Sequence, residues 1–426
     1  MRVAIIAPGS RGDIQPYLAL GVGLARRGHG VRIVTTTDHS ALVQAYGLEL
    51  HVVALDVKAA LQTDSVSASV EGGSVVASFR ELTAIAERGS RLLAEVGLSA
   101  SRGVDAIVTG FGGAFIAEGI AATLGLPLLQ AYNVPLTPTS AFAGALAPWL
   151  SFGPTSRRVA HRLTREAIWM ASRSAGNRAR MEVLGRPSAP RLAPSGVAGL
   201  APGPVLYGYS SAVLPRGPEW GDDVEVTGFW FADEPEGFAP LPALTAFLDA
   251  GPKPVCIGFG SMSQRTPEAT TRLVLDAVQR SGQRAVLLAG WGGLTAADLP
   301  PTVFAIDGVP HSWLYPRVAA VVHHGGAGTT AAAFRAGVPA VVVPFHGDQP
   351  FWAQRVHELG VGPAPIPRRR LSAERLAHAL DVAVDDRAMA ARASALATQV
   401  RTEDGVGQAV AAIERIVRVS SSAGPA

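Results

Sequence analysis

Residues 323–350 read HHGGAGTTAAAFRAGVPAVVVPFHGDQP, and this stretch decides the fold. The apolar run VAAVVHH (318–324) has the length of a buried strand, Gly325, Gly326 and Gly328 follow, and TTAAAFRA opens a helix. A second strand-like run, AVVVPF (340–345), comes next, so the unit reads strand, glycine turn, helix, strand. Glycines let a ligand approach the main chain closely, and the free N–H groups of a helix start attract phosphate. The physical expectation is a diphosphate site.

The same alternation extends outward in both directions. PVCIGFGS (254–261), a helix opened by Thr266-Pro267, QRAVLLAG (283–290) and TVFAID (302–307) precede it. At the other end of the chain come VAIIAP (3–8), a helical pattern from Ile14 onward, GHGVRIVTTT (28–37), DAIVTG (105–110), FIAEGIAATLG (115–125) and LPLLQAY (126–132). Strands alternating with helices predict parallel sheets covered by helices. A chain of 426 residues is comfortable for two domains of about 200 residues. Between Ser188 and Pro242 the text becomes rich in Pro and Gly and its periodicity fades. The expected division is therefore a first domain over 1–215, a linker over 216–241, a second domain over 242–404 and, over 405–426, a helix that crosses back to the first domain with a short tail.

Composition narrows the function. The formal net charge is +3 and no Lys/Arg run exceeds Arg368-Arg369-Arg370, so a nucleic-acid partner lacks its electrostatic footprint. Apolar runs stop far short of the ~20 residues that cross a bilayer, which leaves only peripheral membrane contact open. The lone Cys256 forms no internal disulfide, and Met1-Arg2 leads straight into a strand without the pattern of a signal peptide. A cytoplasmic protein, monomer or homodimer, is expected. His323, His324, His346 and Asp348 include metal-ligand types, but without a ligand spacing no metal site is expected.

Two chemistries fit the glycine turn. Gly326, Gly328 and Ala331 satisfy G-x-G-x-x-A, and Asp348 follows Gly328 by 20 residues, the pattern of a dinucleotide-dependent oxidoreductase. Yet Asp348 stands beyond the next strand and beside Gln349, an arrangement better suited to adjacent sugar hydroxyls.

PHSWLYPRVAAVVHHGGAGTTAAAFRAGVPAVVVPFHGDQPFWAQRVHELGVGP (310–363) resembles the donor-binding signature of family 1 glycosyltransferases of the GT-B fold. The branch holding sterol glucosyltransferases and actinobacterial antibiotic glycosyltransferases is most similar. GSRGDIQP (9–16), IGFGSM (257–262) and AGWGGL (289–294) match it as well, so the likeness spans nearly the whole chain. It implies an α/β architecture of two Rossmann-like domains facing each other across a cleft, the first binding the acceptor and the second the donor.

By matching position, the resemblance implies that His324, Gly326, Ala327, Gly328 and Thr329 contact the donor diphosphate. Ser261 adds a phosphate contact, Val309 reads the base through its backbone, Trp291 stands in for a stacking tryptophan, and Asp348 with Gln349 hold the sugar hydroxyls. Asp13 takes the place of the general base, with Arg11 and Gly12 beside it in the turn near the donor phosphates. Its plain alternative is a helix N-cap. Phe111, Phe142 and Trp149 fall in the region expected to line a lipophilic acceptor, or else are ordinary core beneath a loop.

The implied reaction is inverting transfer of a hexose, glucose first, from a UDP- or dTDP-sugar to a hydroxyl of a sterol or polyketide-like aglycone, with no cofactor and no metal. The other readings are the oxidoreductase on the Gly326/Gly328 loop, a nucleotide-sugar 2-epimerase, and a non-catalytic sugar-nucleotide or lipid-binding module.

Overall fold

A computed structural model describes residues 1–55, 75–195, 197–232, 238–260, 267–289 and 299–422. The chain forms two compact units, passing from the first to the second after Ala232 and returning to the first at Glu403. The first unit contains seven parallel strands: β1 (Arg2–Ile6), β2 (Gly30–Thr36), β3 (Glu49–Val53), β4 (Ala106–Thr109), β5 (Leu128–Tyr132), β6 (Val205–Tyr207) and β7 (Val224–Val226), in the order β3-β2-β1-β4-β5-β6-β7. The second contains five: β8 (Val255–Gly258), β9 (Ala285–Leu288), β10 (Val303–Ile306), β11 (Ala320–His323) and β12 (Ala340–Val342), in the order β10-β9-β8-β11-β12. Every pairing in both sheets is parallel.

A parallel sheet needs both faces covered, and β1 shows how its sequence meets that demand. Successive side chains alternate faces. Val3 and Ile5 join a core with Leu18 of helix α1 (Arg11–Arg26), whereas Ile6 joins a second core with Ile116 and Ile120 of helix α2 (Ala114–Leu124). Between β5 and β6 runs α3 (Pro154–Glu182), a helix of 29 residues. The second unit repeats the plan: α4 (Ala327–Ala336) follows β11, and α5 (Gln349–Glu358) follows β12. The last helix, α6 (Gly405–Ser422), belongs to the first unit and packs on α1. A Cβ on Gly23 would stand 2.3 Å from Val406 Cγ1, so only glycine admits that approach. The crossing back of the C-terminal helix is as expected.

One expectation needs correcting. Part of the stretch read as linker is β7, paired along Val205–Tyr207 through Val224–Val226. Three-residue strands amid Pro and Gly give no readable alternation, and β6 and β7 escaped the sequence reading for that reason, as did the five-residue β3 at the edge of the sheet.

Candidate active site

Both sheets reverse their strand order once near the middle, between β1 and β4 in the first and between β8 and β11 in the second. In open α/β sheets ligands bind outside the carboxyl ends of the strands at such a reversal. Most of the described residues that the sequence singled out stand at or beside one of these two places; Val309, Phe142 and Trp149 do not.

In the second unit β11 ends at His323, and Gly325, with φ +90°, turns the chain into α4. Gly326 is the N-cap of α4 and no side chain caps the helix. The first N–H groups of a helix have no partner within it, so those of Ala327, Gly328 and Thr329 are offered outward. A Cβ on Gly328 would meet nothing within 4 Å, so packing does not explain this glycine. The His324 imidazole lies between two others: a Cβ on Gly260 would stand 2.9 Å from its Cε1, and one on Gly326 2.5 Å from its Nε2. His324 is 9% exposed, its Nδ1 has no partner among the described residues, and burial, then His346 and His311, push its pKa down to about 3. It is therefore a neutral imidazole near pH 7, a donor without charge. His323 is wholly buried and its Nδ1 accepts from Gly325 N at 3.0 Å, a structural task.

Beyond β12, Asp348 is the N-cap of α5, half-buried, with Oδ2 accepting from Trp352 Nε1 at 3.0 Å. Gln349 is buried, and its Oε1 accepts from the N–H groups of Phe345 (2.8 Å) and His346 (3.2 Å). Gln349 thus holds the turn with its oxygen. Val309 is half-buried in the loop after β10. Ser261 and Trp291 lie outside the described residues.

The first unit's reversal carries Asp13. Gly9 has φ +144°, and a Cβ there would stand 2.6 Å from Asp13 Oδ2. Ser10 caps α1, and Asp13, three residues on, returns the bond: Asp13 Oδ2 accepts from Ser10 N and from Ser10 Oγ, each at 2.8 Å. This is a capping box with aspartate in the usual place of glutamate. Gly12, expected to share in the turn, is already helical, as is exposed Arg11. Asp13 is exposed, yet the protein crowded around its carboxyl removes enough water to raise its pKa above the ordinary aspartate value, against the Ser10 hydrogen bonds and His39, which lower it.

Phe111, 45% exposed, follows β4 and so neighbours this turn: a Cβ on adjacent Gly112 would stand 2.6 Å from the Pro8 carbonyl. Phe142 instead packs edge-on against His161 (5.7 Å) and Trp220 (6.1 Å), while Trp149 is 61% exposed before α3. The structure thus brings Phe111 to Asp13's turn and gives Phe142 a packing role. Four contributors escaped the sequence reading. Ser10 was legible as a cap three residues before an acid, and Trp352 acts one helical turn from Asp348, whereas Gly260 and His39, whose Nε2 donates to the Gly9 carbonyl at 2.9 Å, act from turns distant in sequence.

Two Rossmann-like units with ligand-ready turns at their strand reversals define the class, and the chain belongs to the family 1 glycosyltransferases of the GT-B fold. The family profile described as "Glycosyltransferase family 28 N-terminal domain" matches residues 3–123, and "Erythromycin biosynthesis protein CIII-like, C-terminal domain" matches 272–413. Among its relatives, the Arabidopsis thaliana sterol 3-beta-glucosyltransferase UGT80B1 is 33% identical, over 97% of this chain and 68% of its own length. UGT80A2 of the same plant is 35% identical, over 97% and 65%. The Cryptococcus neoformans sterol 3-beta-glucosyltransferase is 34% identical, over 99% and 27%, so the chain spans only part of the relatives it matches. Solved structures share the fold: the kitacinnamycin glycotransferase at TM-score 0.68 and 22% identity, over 97% of this chain and 98% of that one, and a Streptomyces glycosyltransferase, SsfS6, complexed with thymidine diphosphate, at 0.62 and 20%, over 97% and 99%.

Proposed function

We propose that the protein transfers a hexose, glucose by the relatives' names, from a uridine or thymidine diphosphate sugar to a hydroxyl of a lipophilic aglycone, with inversion at the anomeric carbon. The observation that carries this reading is the start of α4: an uncapped helix N-terminus, open space at Gly328 and a buried imidazole beside it. A diphosphate would accept hydrogen bonds from the first N–H groups of α4 and from His324, the charge being met by the helix dipole because the imidazole is neutral. Asp348 and Gln349 would hold sugar hydroxyls, and the backbone at Val309 the base.

Asp13 would accept the proton of the acceptor hydroxyl as its oxygen bonds to the anomeric carbon and the bond to the diphosphate breaks on the opposite face. A raised pKa makes Asp13 a better base than a free aspartate, whose pKa is about 3.9. In this reading the first unit holds acceptor and base and the second holds the donor, acting in the cytoplasm without a metal. Among the described residues no three His, Cys, Asp or Glu side chains cluster as a metal site would. The test is a panel of UDP- and dTDP-hexoses against sterol, macrolide and flavonoid acceptors, with and without chelator. A mass gain of one hexose with inverted anomeric coupling is expected. Folded protein that yields no product with any pair would reject the reading.

A further inference from the structure

Helix α3 presents a face to which the proposed transfer chemistry assigns no residue. Leu163, Met170 and Met181 are 53%, 61% and 56% exposed. Their spacings of seven and eleven residues amount to about two and about three turns, so they form one line, about 27 Å long, on the outside of the helix. Phe152, 87% exposed, stands just before it. Arg162 and Arg178 fall on opposite flanks of the line and are exposed. The helix carries seven arginines against two glutamates; of the arginines, Arg157, Arg158, Arg165 and Arg180 are bonded to the rest of the protein.

We infer that this face of α3 docks on an anionic lipid bilayer, the apolar line entering the boundary between headgroups and acyl chains while the arginines lie among the phosphates. No described helix is long and apolar enough to cross a membrane, so α3 lies on the surface. The charge pattern selects this occupant. A protein interface centres on an apolar core depleted of charge, whereas here arginines flank the apolar line on both sides. A second copy of the chain would bring the like charges of Arg162 and Arg178 together across the same face. Docking would bring the protein to the phase in which a lipophilic acceptor dissolves, and only that consequence rests on the proposed function.

The test is co-sedimentation of the whole chain with vesicles of phosphatidylcholine alone and of an equimolar mixture with phosphatidylglycerol. Binding to the mixed vesicles that weakens with salt is expected, with little to the neutral ones. Leu163→Asp with Met170→Asp, and separately Arg162→Glu with Arg178→Glu, should each lower partitioning about tenfold or more, with melting temperature and thymidine diphosphate affinity unchanged. The arginine pair decides the matter if the apolar pair disturbs folding. Absence of binding to either vesicle, equal binding by wild type and variants, or a solution dimer that these substitutions dissolve would each overturn the inference. Vesicle binding by a protein that takes up no nucleotide would reject the proposed function and leave the docking face standing.

Discussion

The turn after β1 and the turn after β11 both border the strand reversal of their own sheet, one on the first strand of its unit and the other on the fourth, and they treat the helix that follows in opposite ways. At α1 the protein supplies its own anion: Ser10 and Asp13 close the helix start with three polar groups of the same turn. At α4 no side chain caps the helix, and the nearest titratable group, His324, is held neutral. A closed start repels phosphate and displays a carboxylate, while an open one attracts phosphate and displays none. Two similar sheets thus yield a basic group at one border of the reversal and an anion site at the other, which is how fold and function come apart.

The largest effect expected from breaking this contrast is at Asp13. Asp13→Asn keeps the shape and removes the base, so transfer should fall about 100- to 10,000-fold with nucleotide affinity intact, measured by turnover and calorimetry. Next comes His324→Ala, which removes one hydrogen bond to the donor and should weaken nucleotide binding by roughly 1.5–3 kcal/mol. Gly328→Leu fills space that the protein leaves open. It should reduce nucleotide affinity about tenfold without lowering the melting temperature.

Smaller effects concern pH. Because the Ser10 hydrogen bonds lower the pKa of Asp13, Ser10→Ala should raise it, and the acidic limb of kcat/KM should move to higher pH, with rate still rising as the carboxyl ionises. His324 at about 3 and His161 at about 4 both lie below the ordinary histidine value. The unfolded chain therefore binds more protons below about pH 6.5. Stability present above that pH is lost as pH falls toward 4, by up to about 1.4 kcal/mol per pH unit for each such histidine, and a series of thermal melts from pH 7 to pH 4.5 would show it.

Much of this was legible before any coordinates. HHGGAGTT (323–330) announced an open helix start because glycines cannot cap with a side chain, and long runs such as VAIIAP (3–8) announced buried strands. The role of Ser10 was within reach too, since a capping residue three positions before an acid is a local signal. What stayed hidden was non-local. That Gly260 walls His324, or that His39 holds the Gly9 carbonyl, follows from which strand ends lie side by side. Very short strands such as Val224–Val226 carry too few residues for alternation to appear.

The most direct test of this division of labour measures nucleotide-sugar affinity and single-turnover rate side by side in Asp13→Asn and Gly328→Leu. If the closed turn supplies the base and the open turn holds the phosphates, the first variant loses rate and keeps affinity, whereas the second loses affinity and regains most of its rate at saturating donor. Near-normal transfer by Asp13→Asn, or unchanged affinity in Gly328→Leu, would contradict it.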